Sequence, residues 1–217
     1  MWARVHKIDR IRPQPGGGAI VVVEDDRNAV AMERVPGLST LCAVARVLNA
    51  RRLLEARFGG KGEVRYATIT SPPTFLVDAI TRAGASLCDS TGERVVVTPA
   101  PAAISPIIDS AFAQLAHHVR TNAGAPDMVT AIRMLEVTRR KAPINRETSP
   151  AAYWTAVFEL AALAGELSRS RGGRWIETTE LPVPFAIKFA TGELAMPTKL
   201  AQQIVEGTSP DESLVVR

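Results

Sequence analysis

The spacing of apolar residues in the first hundred positions predicts alternating strands and helices. Val5–Ile11 and Ala19–Val23 are separated by a stretch dense in Pro and Gly, which is typical of a β-hairpin with a long loop. Leucines at helical intervals predict a long helix from about Pro36 to Arg57. The other elements predicted in this half are a strand over 63–69, a helix over 74–83 closed by Gly84, and a small hairpin around Thr91-Gly92.

After residue 104 the period of the apolar residues becomes mainly helical. Ile108, Phe112, Leu115 and Val119 form one stripe, and the helix that follows Ser149-Pro150 is the most apolar in the chain. We therefore expect that helix to be the central element of the second half. The elements predicted here are helices over 104–119, 127–139, 151–168 and 197–206, and short strands over 174–179, 184–189 and 194–196.

These elements predict an α+β protein in two parts. Residues 1–98 would form a mixed sheet with two helices, and residues 104–207 a helix-rich domain with a small antiparallel sheet. Thr98–Ser105, which contains two prolines, is the best candidate for a linker. Residues 208–217 are polar and predict a frayed tail.

Composition narrows the class of protein. The chain of 217 residues is 46% hydrophobic and 22% charged, which is ordinary for a folded globular protein, and its net charge is +4. We find no signal-peptide pattern and no run of about 18 apolar residues, so we expect a cytoplasmic protein that does not bind a membrane. Cys42 and Cys88 lack CxxC spacing, and we therefore expect no disulfide framework and no metal site. We also expect no cofactor, because the chain carries no nucleotide-binding signature.

Residues that could support catalysis do not form a known pattern. His117 and His118 are adjacent, so on a helix they point about 100° apart and cannot readily share one metal. Asp25 and Asp26 follow a strand but have no second acidic motif, and a solvated turn explains them. The glycines at 16–18 lie between two strands and lack the Lys-Ser/Thr of a phosphate-binding loop.

Short basic clusters are the candidates for anion or nucleic-acid contact. Arg51, Arg52 and Arg57 lie at the end of one predicted helix, and Arg169 lies at the end of another. A helix dipole favours cations at that end, which explains the same residues without any ligand.

A second group of residues is a candidate for binding a protein partner. Arg171 and Arg174 flank Trp175 in a basic loop, where an exposed ring could contact a partner and a buried one would belong to the core. Pro182 and Pro184 lie between two predicted strands. Because Pro is confined to edges and turns, we expect an edge of the second sheet here, where another strand could add.

Two stretches resemble small bacterial α+β domains of uncharacterised biochemistry. The first is similar through Ile8-Asp9-Arg10-Ile11 and the acidic turn Glu24-Asp25-Asp26. The second joins an apolar helix to Gly172-Gly173-Arg174-Trp175, two strands and Met196-Pro197, and resembles immunity-like and accessory proteins. The resemblance implies a binding or adaptor role and assigns no residue a function.

The leading hypothesis is a non-catalytic binding, adaptor or immunity-like protein that acts through contacts with another protein or with a second copy. One alternative is a nucleic-acid-associated accessory protein that uses its Arg-rich loops. Another is an enzyme whose site is assembled from Asp25, Asp26 and His117 or His118.

Overall fold

A computed structural model describes residues 10–13, 19–24, 35–59, 62–67, 80–88, 94–96, 104–178 and 183–208. The chain divides into two compact units. The first comprises Met1–Arg34 and Ser39–Ile107, and the second comprises Val35–Leu38 and Ile108–Arg217. Most of the predicted linker and the tail from 209 onward lie outside the described residues, so the domain limits given above stay predictions.

The first unit contains a five-stranded mixed sheet, as predicted. Its strands lie in chain order, with β2 parallel to β3 and β3 parallel to β4, while β1 and β5 pair antiparallel at the two edges. Helical crossovers produce the parallel pairs and direct hairpins produce the antiparallel ones. The strands are β1 (Arg10–Pro13), β2 (Ala19–Glu24), β3 (Gly62–Ala67), β4 (Ser86–Cys88) and β5 (Arg94–Val96).

Helix α1 (Leu38–Phe58) connects β2 to β3. Its first part, residues 38–50, is buried on every side, and Cys42 is buried there as a small apolar residue would be. The helix ends at Gly59, whose φ of 60° is a conformation that favours glycine.

Of the helix predicted over 74–83, residues 80–82 are described and are helical. Gly84 has a φ of 83°, its N–H donates to the Thr81 carbonyl, and the Ala85 N–H donates to the Ile80 carbonyl. This pair of hydrogen bonds is the Schellman arrangement, and it confirms Gly84 as the residue that closes the helix.

Four helices form most of the second unit in the part of the chain that the structure describes. The apolar helix α4 (Pro150–Arg169) is buried over more than half of its residues and packs against the helices before and after it, which confirms that it is central. Asp127 caps α3 by accepting a hydrogen bond from the Thr130 N–H at 2.7 Å. The helices are α2 (Ser105–Asn122), α3 (Met128–Lys141), α4 (Pro150–Arg169) and α5 (Pro197–Glu206).

A three-stranded antiparallel sheet completes this unit, also as predicted. The strands are β6 (Arg174–Glu177), β7 (Phe185–Lys188) and β8 (Leu194–Ala195), with β7 in the middle. An aromatic cluster lies between this sheet and the helices: Phe112 of α2 stacks on Trp175 with ring centroids 3.6 Å apart, and Phe185 meets Phe112 edge-on at 5.5 Å. Among the described helices, none is both long and apolar enough to cross a membrane.

Candidate functional site

The structure places Trp175 in the core. Its side chain is 0% exposed, its ring stacks on Phe112, and the ring also lies against the α carbon of Gly165. The interpretation of Trp175 as a ring that contacts a partner is therefore wrong. The alternative that its ring belongs to the core is the one observed.

Arg169 is already engaged by acidic side chains. Its guanidinium contacts Glu166 at 2.8 Å and Asp109 at 3.7 Å, and the hydrogen bond with Glu166 is the main cause that raises its pKa. Asp109 also accepts a hydrogen bond from the backbone N–H of Trp175 at 3.3 Å. Arg169 therefore holds the end of α4 to α2 and is a poor candidate for binding an external anion.

The loop after α4 keeps two basic residues at the surface. Arg171 and Arg174 are both exposed, and Arg174 begins β6 opposite Lys188. A contact between these two residues and a partner stays a prediction, and Trp175 does not contribute a ring to it.

Pro184 does not mark a sheet edge. It directly precedes β7, which is the middle strand, and its carbonyl accepts a hydrogen bond from the Thr178 N–H at 3.0 Å. Its side chain is buried. The predicted edge is therefore misplaced, because the edges of this sheet are β6 and β8, and a Pro just before a strand gives up no hydrogen bond of the ladder. Pro182 lies outside the described residues.

Arg51 lies seven residues before the last residue of α1, so the dipole of its own helix does not explain it. Its guanidinium lies against Gly84, at the carboxyl end of the neighbouring helix, where free carbonyls attract a cation. Arg52 is half-buried. The side chain of Arg57 is outside the described set.

The two histidines lie on the outer side of α2. His117 is exposed, and His118 is half-buried with its Nε2 2.9 Å from the Asn122 amide nitrogen. Within the described ranges no group of His, Cys, Asp and Glu is arranged to hold a metal ion. Asp25 and Asp26 lie outside those ranges.

The most distinctive surface lies on α3, and the sequence did not reveal it. Met134 and Val137 are 47% and 51% exposed and lie one turn apart on the outer side of the helix. Val137 follows Ile132 by five residues, which turns it about 140° away from the buried side. This angle could have indicated the exposure of Val137 from the sequence alone. The apolar residues of the helix do not share one face: Val129, Ile132, Leu135 and Val137.

Two cations flank this apolar pair. Arg133 and Lys141 are exposed, and neither forms an ion pair with any described residue. Their separation of eight residues corresponds to about 12 Å along the helix axis. Arg133, Met134, Val137 and Lys141 are called the α3 surface from here on.

The acidic residues of α3 lie away from the α3 surface. Glu136 is buried on the inner side, and Asp127 is at the cap, where hydrogen bonds from Thr130 lower its pKa and Arg133 contributes less. A third cation, Arg139, is occupied because it pairs with Glu159 of α4 at 3.4 Å. The α3 surface therefore has a net positive charge around an apolar centre.

No protein-family model matches the chain, and no curated protein or solved structure matches it significantly. The resemblance to bacterial accessory domains therefore rests on the short motifs quoted above.

Proposed function

We propose that this protein is a non-catalytic binding module that docks another protein on the α3 surface. The observation that supports the proposal is the exposed pair Met134 and Val137 on the outer side of a helix whose inner side is buried. Protein interfaces are enriched in Met and aromatic residues near their centre and in polar residues at their rim, and the α3 surface has an apolar centre and a charged rim.

Contacts within the protein hold α3 in place when no partner is bound. Its inner side is anchored by buried Ala131 and Ile132, and the Arg139–Glu159 ion pair ties it to α4. A rigid surface loses little conformational entropy on association, so more of the energy from burying Met134 and Val137 remains as affinity. Completing the burial of the two side chains is worth about 1 kcal/mol each.

Site-specific photocrosslinking tests this proposal. The chain is prepared with p-benzoylphenylalanine in place of Met134, and a control carries it in place of Gln114, which is exposed on the polar side of α2. Irradiation in an extract of the source cells should give one dominant protein adduct from position 134 and none of that mass from position 114.

A competition arm makes the result specific. An excess of unlabelled wild-type protein should suppress the adduct, and an excess of M134S/V137S should leave it intact because that variant lacks the apolar centre. Equal adducts from positions 134 and 114, or equal suppression by the two competitors, would refute the proposal.

A further inference from the structure

We infer that the partner on the α3 surface is an acidic, amphipathic protein segment, with two carboxylates that flank a pair of apolar side chains. This inference rests on the proposed function. It adds the chemistry of the partner, which follows from the charges around Met134 and Val137.

Charge complementarity is the first argument. Arg133 and Lys141 are exposed at opposite ends of the apolar pair, and neither forms an ion pair with a described residue; Asp127 at the helix cap interacts with Arg133 only weakly. A docked protein would partly desolvate both cations, which is unfavourable unless it brings opposite charges. Neutral or basic segments are therefore disfavoured at the same apolar contact.

A second copy of this chain does not fit the same surface. Two α3 helices packed antiparallel about Val137 would set Arg133 of one against Lys141 of the other, at both ends of the contact. Like charges directly opposite each other disfavour association. The α3 surface therefore selects against self-pairing while it remains open to an acidic segment.

Nucleic acid could pair with the cations of the α3 surface but would not cover its apolar centre. Phosphates could pair with Arg133 and Lys141, but Met134 and Val137 would then face a charged backbone with no apolar group to cover them. An acidic, amphipathic peptide could pair with the two cations and cover the two apolar side chains at the same time.

The spacing of the two cations sets the spacing expected in the partner. They are about 12 Å apart along the axis, which matches carboxylates seven or eight residues apart in a helix or about four apart in an extended strand. The apolar side chains of the partner would lie between these carboxylates, against Met134 and Val137.

A displayed peptide library tests the inference and does not require the natural partner to be identified. Random peptides of about 12 residues, long enough to span both cations, are selected on the full-length wild-type protein and counter-selected on M134S/V137S. Enriched sequences should carry Asp or Glu on both sides of two apolar residues.

Charge reversal in R133E/K141E should weaken the binding of a selected peptide about tenfold at low salt. Added salt should weaken the binding of the same peptide to the wild-type protein.

Other results would contradict the inference, the proposed function, or both. Binders that depend on Met134 and Val137 but lack acidic residues would refute the acidic partner and leave the proposed function standing. A selection that yields no peptide whose binding depends on Met134 and Val137 would contradict both the acidic partner and the proposed function. Binding of duplex DNA or of anionic vesicles that R133E/K141E abolishes, or self-association that M134S/V137S abolishes, would assign the surface to those occupants and overturn the inference. Circular dichroism of both variants, whose changes are all at exposed positions, checks that they fold.

Discussion

At the scale of single residues, the aromatic cluster depends on a missing side chain. Gly165 lies within α4, four residues before its end, where alanine would normally be favoured, but the Trp175 ring fills the space that a β carbon would need. The ring cannot move away easily because its other face is stacked on Phe112. Glycine therefore lets helix and sheet approach closely enough to bury the largest side chain of β6.

We expect Gly165→Ala to destabilise the protein by about 1–3 kcal/mol, although the same change in an ordinary helix stabilises it. Urea unfolding followed by far-UV circular dichroism measures the change. Trp175→Phe removes the part of the ring nearest to Gly165, so in that background the cost of Gly165→Ala should fall. A stabilising Gly165→Ala, or an equal cost in both backgrounds, would contradict the packing described here.

At the scale of elements, an ion pair in a partly desolvated position holds α3 to α4. Arg139 and Glu159 are 26% and 20% exposed, and their nearest atoms are 3.4 Å apart. Burial raises the pKa of Glu159 above its ordinary 4.5, and Arg139 opposes that rise without cancelling it. The carboxylate form of Glu159 is therefore less favourable in the folded protein than in the unfolded chain.

The sign of this shift predicts a pH dependence. The folded protein binds the Glu159 proton more tightly, so stability should fall as the pH rises from about 4.5 through the raised pKa. The free energy of unfolding of wild type minus that of E159Q should therefore be largest at acid pH and decrease as the pH rises. Urea unfolding at a series of pH values measures this difference.

Removal of the opposing cation extends the test. In an R139Q background the pKa of Glu159 should rise further, so the fall in stability should be larger and should extend to higher pH. A difference between wild type and E159Q that grows with rising pH would mean that attraction to Arg139 outweighs burial.

At the scale of the whole molecule, the second unit takes four residues from a distant part of the sequence. Val35–Leu38 belong to it together with Ile108–Arg217. Gly37 has a φ of 79°, and a β carbon at this position would overlap the backbone carbonyl of Ala111 in α2. A glycine just before α1 is thus a structural requirement of a unit whose other residues begin about 70 positions later.

We expect Gly37→Ala to destabilise the second unit by about 2–4 kcal/mol, from both the backbone strain and the overlap. Trp154 and Trp175 are buried in that unit, so tryptophan fluorescence during urea unfolding reports on it. Gly124→Ala is the matched control, because Gly124 has a φ of 62° with no other atoms near the added carbon and should cost about 1 kcal/mol. Equal costs for the two variants would show that the contact with Ala111 contributes nothing.

The sequence by itself determined most of the local structure. Residues that act within one turn, such as Asp127 at a helix start and Gly59, Gly84 and Gly207 at helix ends, set element limits because the backbone conformation there depends on near neighbours. Apolar spacing likewise identified α4 as the central helix, since a helix with so little polar surface must be buried.

Tertiary structure decided which surfaces are available for binding. Trp175 and Arg169 are residue types that often bind partners in basic loops. The Trp175 ring is buried against Phe112, and the Arg169 guanidinium contacts Glu166 one turn earlier in α4 and Asp109 in α2. Met134 and Val137 had the composition of a core but remained exposed. Exposure depends on which elements pack against each face, and that is settled by contacts between residues far apart in the chain.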